Sequence, residues 1–271
     1  MIERIFNGAG RQVAGLYGKA LLNVNVEWQA PLPSGPKIIA ANHPTTTDPF
    51  LLMGLIDEPM SILITESCFK LPGLGAFLRA AGHVPVVSGR GQDALDEGVR
   101  LLRAGHTVGI FPEGVLSPLA QLGHGGCCPP HTGVARLALA TGAPVIAMGI
   151  SLDPARIIFR DTLIDGVTEH VRWYVRGPYF VTAGRPMAVT GSLEDREGVR
   201  LAAARIMNRV AGLAQHSALR LRSEVELGAA PVPLPSFGQD CGLTDPSHRE
   251  GERQTAAVSD DGRSLCLPGS S

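Results

Sequence analysis

A chain of 271 residues is long enough to bury a substantial core, and one main domain is the expectation. Hydrophobic residues make up 44% of the sequence and charged residues 18%, which is apolar for a soluble enzyme but excludes a multi-span membrane protein. The 24 basic and 25 acidic residues nearly cancel, which disfavours a nucleic-acid partner, and the five cysteines lack the paired spacing of a zinc site.

Residues 1–30 predict an amphipathic helix followed by a lead-in to the main domain. Apolar side chains such as Ile5, Val13 and Leu16 recur at helical intervals, with Arg4 and Arg11 between them. No apolar run here is long enough for a signal peptide or for a membrane span of about 18 to 20 residues. Two interpretations fit the pattern: a helix lying at a membrane interface, or a surface helix that covers its own core.

Residues 31–227 predict a single α/β domain, because short β-branched runs alternate with helical stretches. This spacing is typical of a largely parallel or mixed central sheet flanked by helices. The predicted strands lie at 37–41, 61–65, 83–87, 107–111 and 144–150, with β-rich stretches at 171–175 and 179–189. The predicted helices lie at 48–57, 66–81 with a break at Pro72 and Gly73, 91–104, 133–142 and 194–222.

The last segment, residues 228–271, is rich in Pro, Gly, Ser and charge and has no sustained periodicity. Such a segment cannot bury enough apolar surface to offset the entropy lost on ordering. We therefore predict a disordered tail.

The sequence AANHPTTTDPF at 40–50 places Asn42, His43 and Asp48 where a strand ends and a helix begins. This is where an α/β sheet carries its functional loops. A carboxylate at this spacing can accept a proton from one imidazole nitrogen while the other nitrogen faces a substrate. In the alternative interpretation Asp48 is the N-cap of the helix and His43 makes a local hydrogen bond.

A second candidate stretch, GIFPEGVLSP at 109–118, also follows an apolar strand. Here Phe111, Pro112, Glu113 and Gly114 would end the strand and turn a carboxylate toward the same edge of the sheet. The alternative is an ordinary strand-terminating turn, in which Pro and Gly are common.

The chain resembles the glycerolipid acyltransferase family, which includes the 1-acylglycerol-3-phosphate acyltransferases. The resemblance rests on NHPTTTDP, GHVPVVSGRG with the helix after it, FPEG and TGVARLALATGAPVIAMGI, in that order over about residues 35–150. It implies that His43 is a general base, that Asp48 orients it, and that the FPEG stretch, Phe111 to Gly114, belongs to the acceptor site.

The reaction implied by the resemblance is transfer of a fatty acyl group to the hydroxyl of a lysophosphatidate or related lysolipid. The donor would be acyl-CoA or acyl-carrier protein, used as a co-substrate, with no cofactor and no metal. The expected location is the cytoplasmic face of a membrane, to which the protein would bind peripherally or monotopically.

Five positions depart from the family pattern, and they bear on the acceptor. Val115 and Leu116 stand where Thr-Arg is usual, Ser88 where Arg is common, His131 where Lys is common, and Ala147 where Pro is usual. Arg90 and His131 are the remaining candidates for holding a phosphate between them.

Two other functions remain open from the sequence. A His/Asp thioester hydrolase would pass the acyl group to water. A non-catalytic, membrane-bound lipid-binding protein with the same fold would keep His43 and Asp48 too far apart to hydrogen-bond, or have a filled acyl channel.

Overall fold

The computed structural model describes residues 2–118 and 130–226, which form seven α-helices and nine strands. The predicted disordered tail, residues 228–271, lies outside the described residues. In chain order the elements are α1 (Ile2–Leu21), β1 (Val24–Trp28), β2 (Lys37–Ala41), α2 (Asp48–Leu55), β3 (Met60–Thr65), α3 (Glu66–Lys70), α4 (Leu74–Ala80), β4 (Val84–Val86), α5 (Gly91–Arg103), β5 (Thr107–Ile110), α6 (Gly133–Thr141), β6 (Val145–Leu152), β7 (Ile158–Ile164), β8 (Val167–Trp173), β9 (Tyr179–Ala183) and α7 (Arg196–Glu226).

Seven of the strands form one central sheet in the order β1-β9-β6-β2-β5-β3-β4. Every neighbouring pair in this sheet is parallel except β6 and β9. The other two strands, β7 and β8, form a separate antiparallel ribbon. The predicted α/β class with a mostly parallel sheet is confirmed.

Two strands, β1 and β7, were not predicted from the sequence. β1 is a half-buried strand at the edge of the sheet, where Val24 to Trp28 pair with Tyr179 to Ala183 of β9. Its pairing partner lies far along the chain, so neither a continuous apolar run nor a nearby strand signals it. The predicted break at Pro72 and Gly73 is confirmed, because α3 ends before it and α4 begins after it.

Helices cover both faces of the sheet. Side chains alternate between the faces along a strand, so the neighbours Ile38 and Ile39 of β2 enter two different cores. The first core includes Leu101 of α5 and Leu213 of α7, while the second includes Leu51 of α2. β2 lies buried between these cores, and it carries the segment 42–48 at its end.

The loops after β2 and β5 meet because these two strands are parallel neighbours. The carboxyl ends of parallel strands lie at one edge of a sheet, where α/β proteins build their sites. The antiparallel β9 begins at this same edge, because Tyr179 pairs with Leu152 at the end of β6. The ribbon of β7 and β8 is inserted between those two residues, so it also starts and ends at this edge.

The predicted helix at the N-terminus is present as α1, and it packs against α2 through small residues. Its buried residues are Asn7, Gly10, Ala14 and Gly18. The approach is so close that a Cβ atom added to Gly54 of α2 would lie 2.7 Å from the backbone nitrogen of Gly15.

The large apolar side chains of α1 do not cover the core. Ile2, Ile5, Val13 and Leu16 point outward and are between 59% and 70% exposed. Within residues 2–118 and 130–226, no helix combines the length and hydropathy needed to cross a bilayer.

Candidate active site

His43 and Asp48 lie in the turn between β2 and α2, and their side chains are hydrogen-bonded. Nδ1 of His43 is 3.1 Å from Oδ2 of Asp48. The turn closes where the amide of Asp48 donates to the carbonyl of Thr45, and Pro49 occupies the first helical turn, where its missing N–H costs little. The alternative in which Asp48 is the N-cap is wrong, since Thr47 occupies that position.

Asp48 is fully buried, and four donors surround its two carboxylate oxygens. Oδ2 accepts from the backbone amide of Thr45 at 2.6 Å and faces His43, while Oδ1 accepts from the hydroxyls of Thr45 and Tyr179 at 2.7 and 2.9 Å. Burial, together with the charge of Asp48 and this hydrogen bond, raises the pKa of Tyr179 well above 10. Its hydroxyl therefore remains a donor, and the carboxylate has one fixed position.

The imidazole of His43 is held against the ring of Phe111, which lies in the FPEG stretch. The ring centroids are 4.2 Å apart and the planes are inclined by 24°. The His43 side chain is 18% exposed, and its Nε2 makes no hydrogen bond with any residue in the described ranges. An imidazole fixed at one nitrogen and free at the other can accept a proton from a bound hydroxyl and return it to a leaving group.

The loop that carries His43 is anchored to the strands on either side. The side-chain amide of Asn42 pairs with both backbone groups of Ile150 in β6, at 3.0 and 2.7 Å. Farther along the loop, the amide of Thr46 donates to the carbonyl of Arg172 at 2.8 Å, and the amide of Arg172 donates to the Thr46 hydroxyl at 3.0 Å. These paired bonds fix the backbone on both sides of His43.

Glu113 braces the FPEG stretch against the same loop. It is only 3% exposed, and its Oε1 accepts from the backbone amide of His43 at 3.0 Å and from the hydroxyl of Ser117 at 2.6 Å. The amide of Ser117 in turn donates to the carbonyl of His43 at 2.7 Å. These contacts give Glu113 a positioning role, and the expectation that it touches substrate stays a prediction.

The two remaining predicted residues, His131 and Arg90, lie in different places. His131 lies beside the FPEG stretch: its amide donates to the carbonyl of Pro112 at 2.9 Å, and its ring packs against the Cα of Gly114, which has a φ of +69°. Arg90, by contrast, is exposed at the start of α5, where its guanidinium pairs with Asp93. No hydrogen bond joins it to the other predicted site residues within the described ranges, and the binding of a phosphate between Arg90 and His131 stays a prediction.

Three residues of the site were missed in the sequence. Ser117 lies four positions after Glu113, and that spacing to a buried carboxylate was the one available signal. Tyr179 contacts Asp48, which lies 131 residues earlier in the chain, and Arg172 contacts Thr46, which lies 126 residues earlier. Nothing in local periodicity indicates such contacts.

The model of the acyltransferase family matches residues 23–151, which include the segment from His43 to Asp48 and the FPEG stretch. This part of the chain, residues 23–151, is therefore similar to the acyltransferase family. A solved structure of similar fold is that of the 1-acyl-sn-glycerophosphate (LPA) acyltransferase PlsC from Thermotoga maritima. It is 22% identical, the match covers 78% of each chain, and the TM-score is 0.54.

A comparison with curated protein sequences found no match. The family model supports the predicted resemblance over residues 23–151, and the solved structure shows that the fold is shared. Arg172 in the β7–β8 ribbon and Tyr179 in β9 lie beyond the residues that the family model matches.

Proposed function

We propose that this acyltransferase moves a fatty acyl group from a thioester, acyl-CoA or acyl-carrier protein, to the hydroxyl of a lysophosphatidate or related lysolipid. The observation that carries the proposal is the His43–Asp48 pair, with 3.1 Å between Nδ1 and Oδ2 and with Nε2 unbonded within the described chain. In a non-catalytic lipid-binding protein, His43 and Asp48 were expected to lie too far apart to hydrogen-bond.

In the proposed reaction, Nε2 of His43 takes the proton from the acceptor hydroxyl as the hydroxyl oxygen attacks the thioester carbonyl carbon. The carbon–sulfur bond then breaks, and the leaving thiolate receives that proton from the imidazolium. Asp48 keeps the proton of neutral His43 on Nδ1 and stabilises the imidazolium while it exists. The acyl group passes directly to the acceptor, so no serine or cysteine nucleophile is needed.

The acceptor class is supported by the relative of similar fold. The Thermotoga maritima protein is a 1-acyl-sn-glycerophosphate acyltransferase, so its acceptor is a lysolipid with a phosphate headgroup. An acceptor of this kind lies in a membrane, and a protein that uses it benefits from contact with the bilayer surface.

The outward face of α1 fits that surface. Ile5, Val13 and Leu16 are exposed, and the basic Arg4 and Lys19 lie on the same helix. We propose that α1 lies in the membrane interface on the cytoplasmic side, with apolar side chains in the acyl region and cations near anionic headgroups.

Binding to vesicles tests this location. Leu16→Glu should weaken co-sedimentation with vesicles of phosphatidylglycerol and phosphatidylcholine by about 10-fold or more, since burying one leucine contributes roughly 1.5–3 kcal/mol. The matched control is Leu219→Glu on α7, because Leu219 is 55% exposed and Leu16 is 70% exposed. Equal binding by the Leu16 variant and the unchanged protein would refute the assignment of α1 to the interface.

Release of free thiol from palmitoyl-CoA, measured with and without lysophosphatidate, tests the proposed reaction. We expect acceptor-dependent release that falls by about 10²–10⁴-fold in His43→Ala, the range typical of a lost general base. The matched control is His216→Ala, because His216 also pairs with a carboxylate, Glu27, at 3.2 Å but on the exposed surface. Release that needs no acceptor would indicate a hydrolase. No release from CoA or carrier-protein thioesters would leave a binding role.

A further inference from the structure

One arginine that the sequence did not single out reaches the site from the ribbon. The backbone of Arg172 is fixed by its two hydrogen bonds to Thr46, midway between His43 and Asp48 in the loop. Its Nη1 donates to the carbonyl of Ser117, which is the residue that bonds both to Glu113 and to the backbone of His43. The Arg172 guanidinium is therefore within two residues of the proposed base along this chain of hydrogen bonds.

The guanidinium of Arg172 keeps most of its donors free. A guanidinium has five N–H donors, and within the described residues only Nη1 of Arg172 is bonded, to a single neutral carbonyl. Among the same residues Arg172 forms no ion pair, although the buried Glu113 is close enough to favour its charged form. Arg172 is half-buried, and this burial lowers the pKa of its guanidinium below the ordinary value.

A half-buried cation without a carboxylate partner favours an anion from outside the chain. The residues that follow the FPEG stretch, Val115 and Leu116, are uncharged, and Arg90 lies on the surface at the start of α5, where it pairs with Asp93. Arg172 is the arginine that the structure brings to the His43 loop.

We propose that Arg172 binds the phosphate of the acceptor lysolipid and so selects a phosphate-bearing acceptor. This inference rests on the proposed function, since it names the group that holds the acceptor at the same site. The planar fork of a guanidinium matches two phosphate oxygens, and the position of Arg172 next to the His43 loop would hold the acceptor hydroxyl near Nε2.

The test compares lysophosphatidate with monoacylglycerol of the same chain length, which has the hydroxyl but lacks the phosphate. In Arg172→Gln we expect kcat/KM for lysophosphatidate to fall about 10- to 100-fold, mainly through KM, and kcat/KM for monoacylglycerol to change less than about 3-fold. For lysophosphatidate, kcat/KM of Arg172→Lys should lie between that of the unchanged protein and that of Arg172→Gln, because lysine keeps the charge but loses the planar fork.

Arg160→Gln is the matched control on the same ribbon. Arg160 is exposed and pairs with Val171, so it lies on the opposite face of the ribbon from Arg172. This variant should leave both acceptors unaffected. Equal losses for the two acceptors in Arg172→Gln would instead mean that Arg172 only supports the carbonyl of Ser117, and no loss for either acceptor would also overturn the proposal.

A binding measurement separates this inference from the proposed reaction. Lysophosphatidate below its micelle concentration should bind the His43→Ala protein about 10- to 100-fold more tightly than the His43→Ala, Arg172→Gln double variant, with no such difference for monoacylglycerol. If the unchanged protein transfers no acyl group but shows this difference, the proposed reaction fails and the role of Arg172 stands. If transfer depends on His43 but neither binding nor kinetics changes in the Arg172 variants, the role of Arg172 fails and the proposed reaction stands.

Discussion

Replacing Asp48 with asparagine should separate the charge of this residue from its role in orienting His43. The amide of Thr45 can only donate, and it lies 2.6 Å from Oδ2, so the asparagine oxygen must take that position. That oxygen still accepts from Nδ1 of His43. The new amide group then faces the hydroxyls of Thr45 and Tyr179, which can rotate to accept its two protons.

The expected loss in Asp48→Asn is therefore electrostatic. Two unit charges about 4 Å apart attract by about 4 kcal/mol at an effective dielectric constant of about 20. A transition state in which His43 is about half protonated would realise about 2 kcal/mol of this, which corresponds to a fall in kcat of about 30-fold. Asp48→Ala should cost more, because it also leaves the buried donors of Thr45 and Tyr179 without an acceptor and destabilises the fold by about 3 kcal/mol or more.

The assay is thiol release at saturating acceptor, together with thermal unfolding followed by circular dichroism. The matched control is Asp161→Asn, since Asp161 also pairs with a histidine, His170, but both side chains are more than two-thirds exposed, at 68% and 82%. A kcat within 3-fold of the unchanged protein in Asp48→Asn would show that the charge is not used in catalysis. An unfolding temperature as low as that of Asp48→Ala would show that the argument about the amide orientation is wrong.

Three further predictions concern stability. Tyr179→Phe removes one of two donors to Oδ1 of Asp48 and should lower the free energy of unfolding by about 1–2 kcal/mol in urea titrations, with a fall in kcat of less than 10-fold. Gly54→Ala should destabilise the protein by about 1–3 kcal/mol, because its Cβ would lie 2.7 Å from the Gly15 backbone of α1, whereas Gly8→Ala in α1 meets nothing within 4 Å and should be neutral or stabilising. Burial lowers the pKa of His83 to about 4, so the unfolded chain takes up a proton near pH 6.5 while the folded chain does not, and the free energy of unfolding should fall by about 3 kcal/mol between pH 6.5 and pH 4 through this residue.

Each of these stability predictions has a result that contradicts it. Unchanged stability of Tyr179→Phe would mean that its hydroxyl is not bonded to Asp48. A Gly54→Ala protein as stable as Gly8→Ala would mean that α1 does not pack closely on α2. The contribution of His83 is isolated in His83→Asn, whose side-chain oxygen can still accept from the amide of Ile62, and this variant should lose about 3 kcal/mol less than the unchanged protein over the same pH range. Parallel pH curves for the two proteins would refute the assignment.

The sequence by itself determined the α/β fold and the centre of the site. The strands β2 and β5 are buried and contain β-branched residues, and His43 and Glu113 lie just after them in local turns that Pro and Gly mark. Because both strands are parallel and central, their loops meet at one edge of the sheet. The spacing of His43 and Asp48 allows the two side chains to meet, but the structure was needed to show that they do.

Only the tertiary structure decided how that centre is supported. The hydroxyl of Tyr179 reaches Asp48 because β9 runs antiparallel to β6 and so begins at the edge where the site lies. Arg172 reaches Ser117 because the β7–β8 ribbon is inserted at that same edge. The periodicity of α1 predicted a helix but not which of its faces packs inward. The small residues Gly10 and Ala14 pack closely on α2, so the large apolar side chains face outward. Contacts of this kind join residues far apart in the chain, and no local pattern of hydrophobicity or turn chemistry encodes which of them will meet.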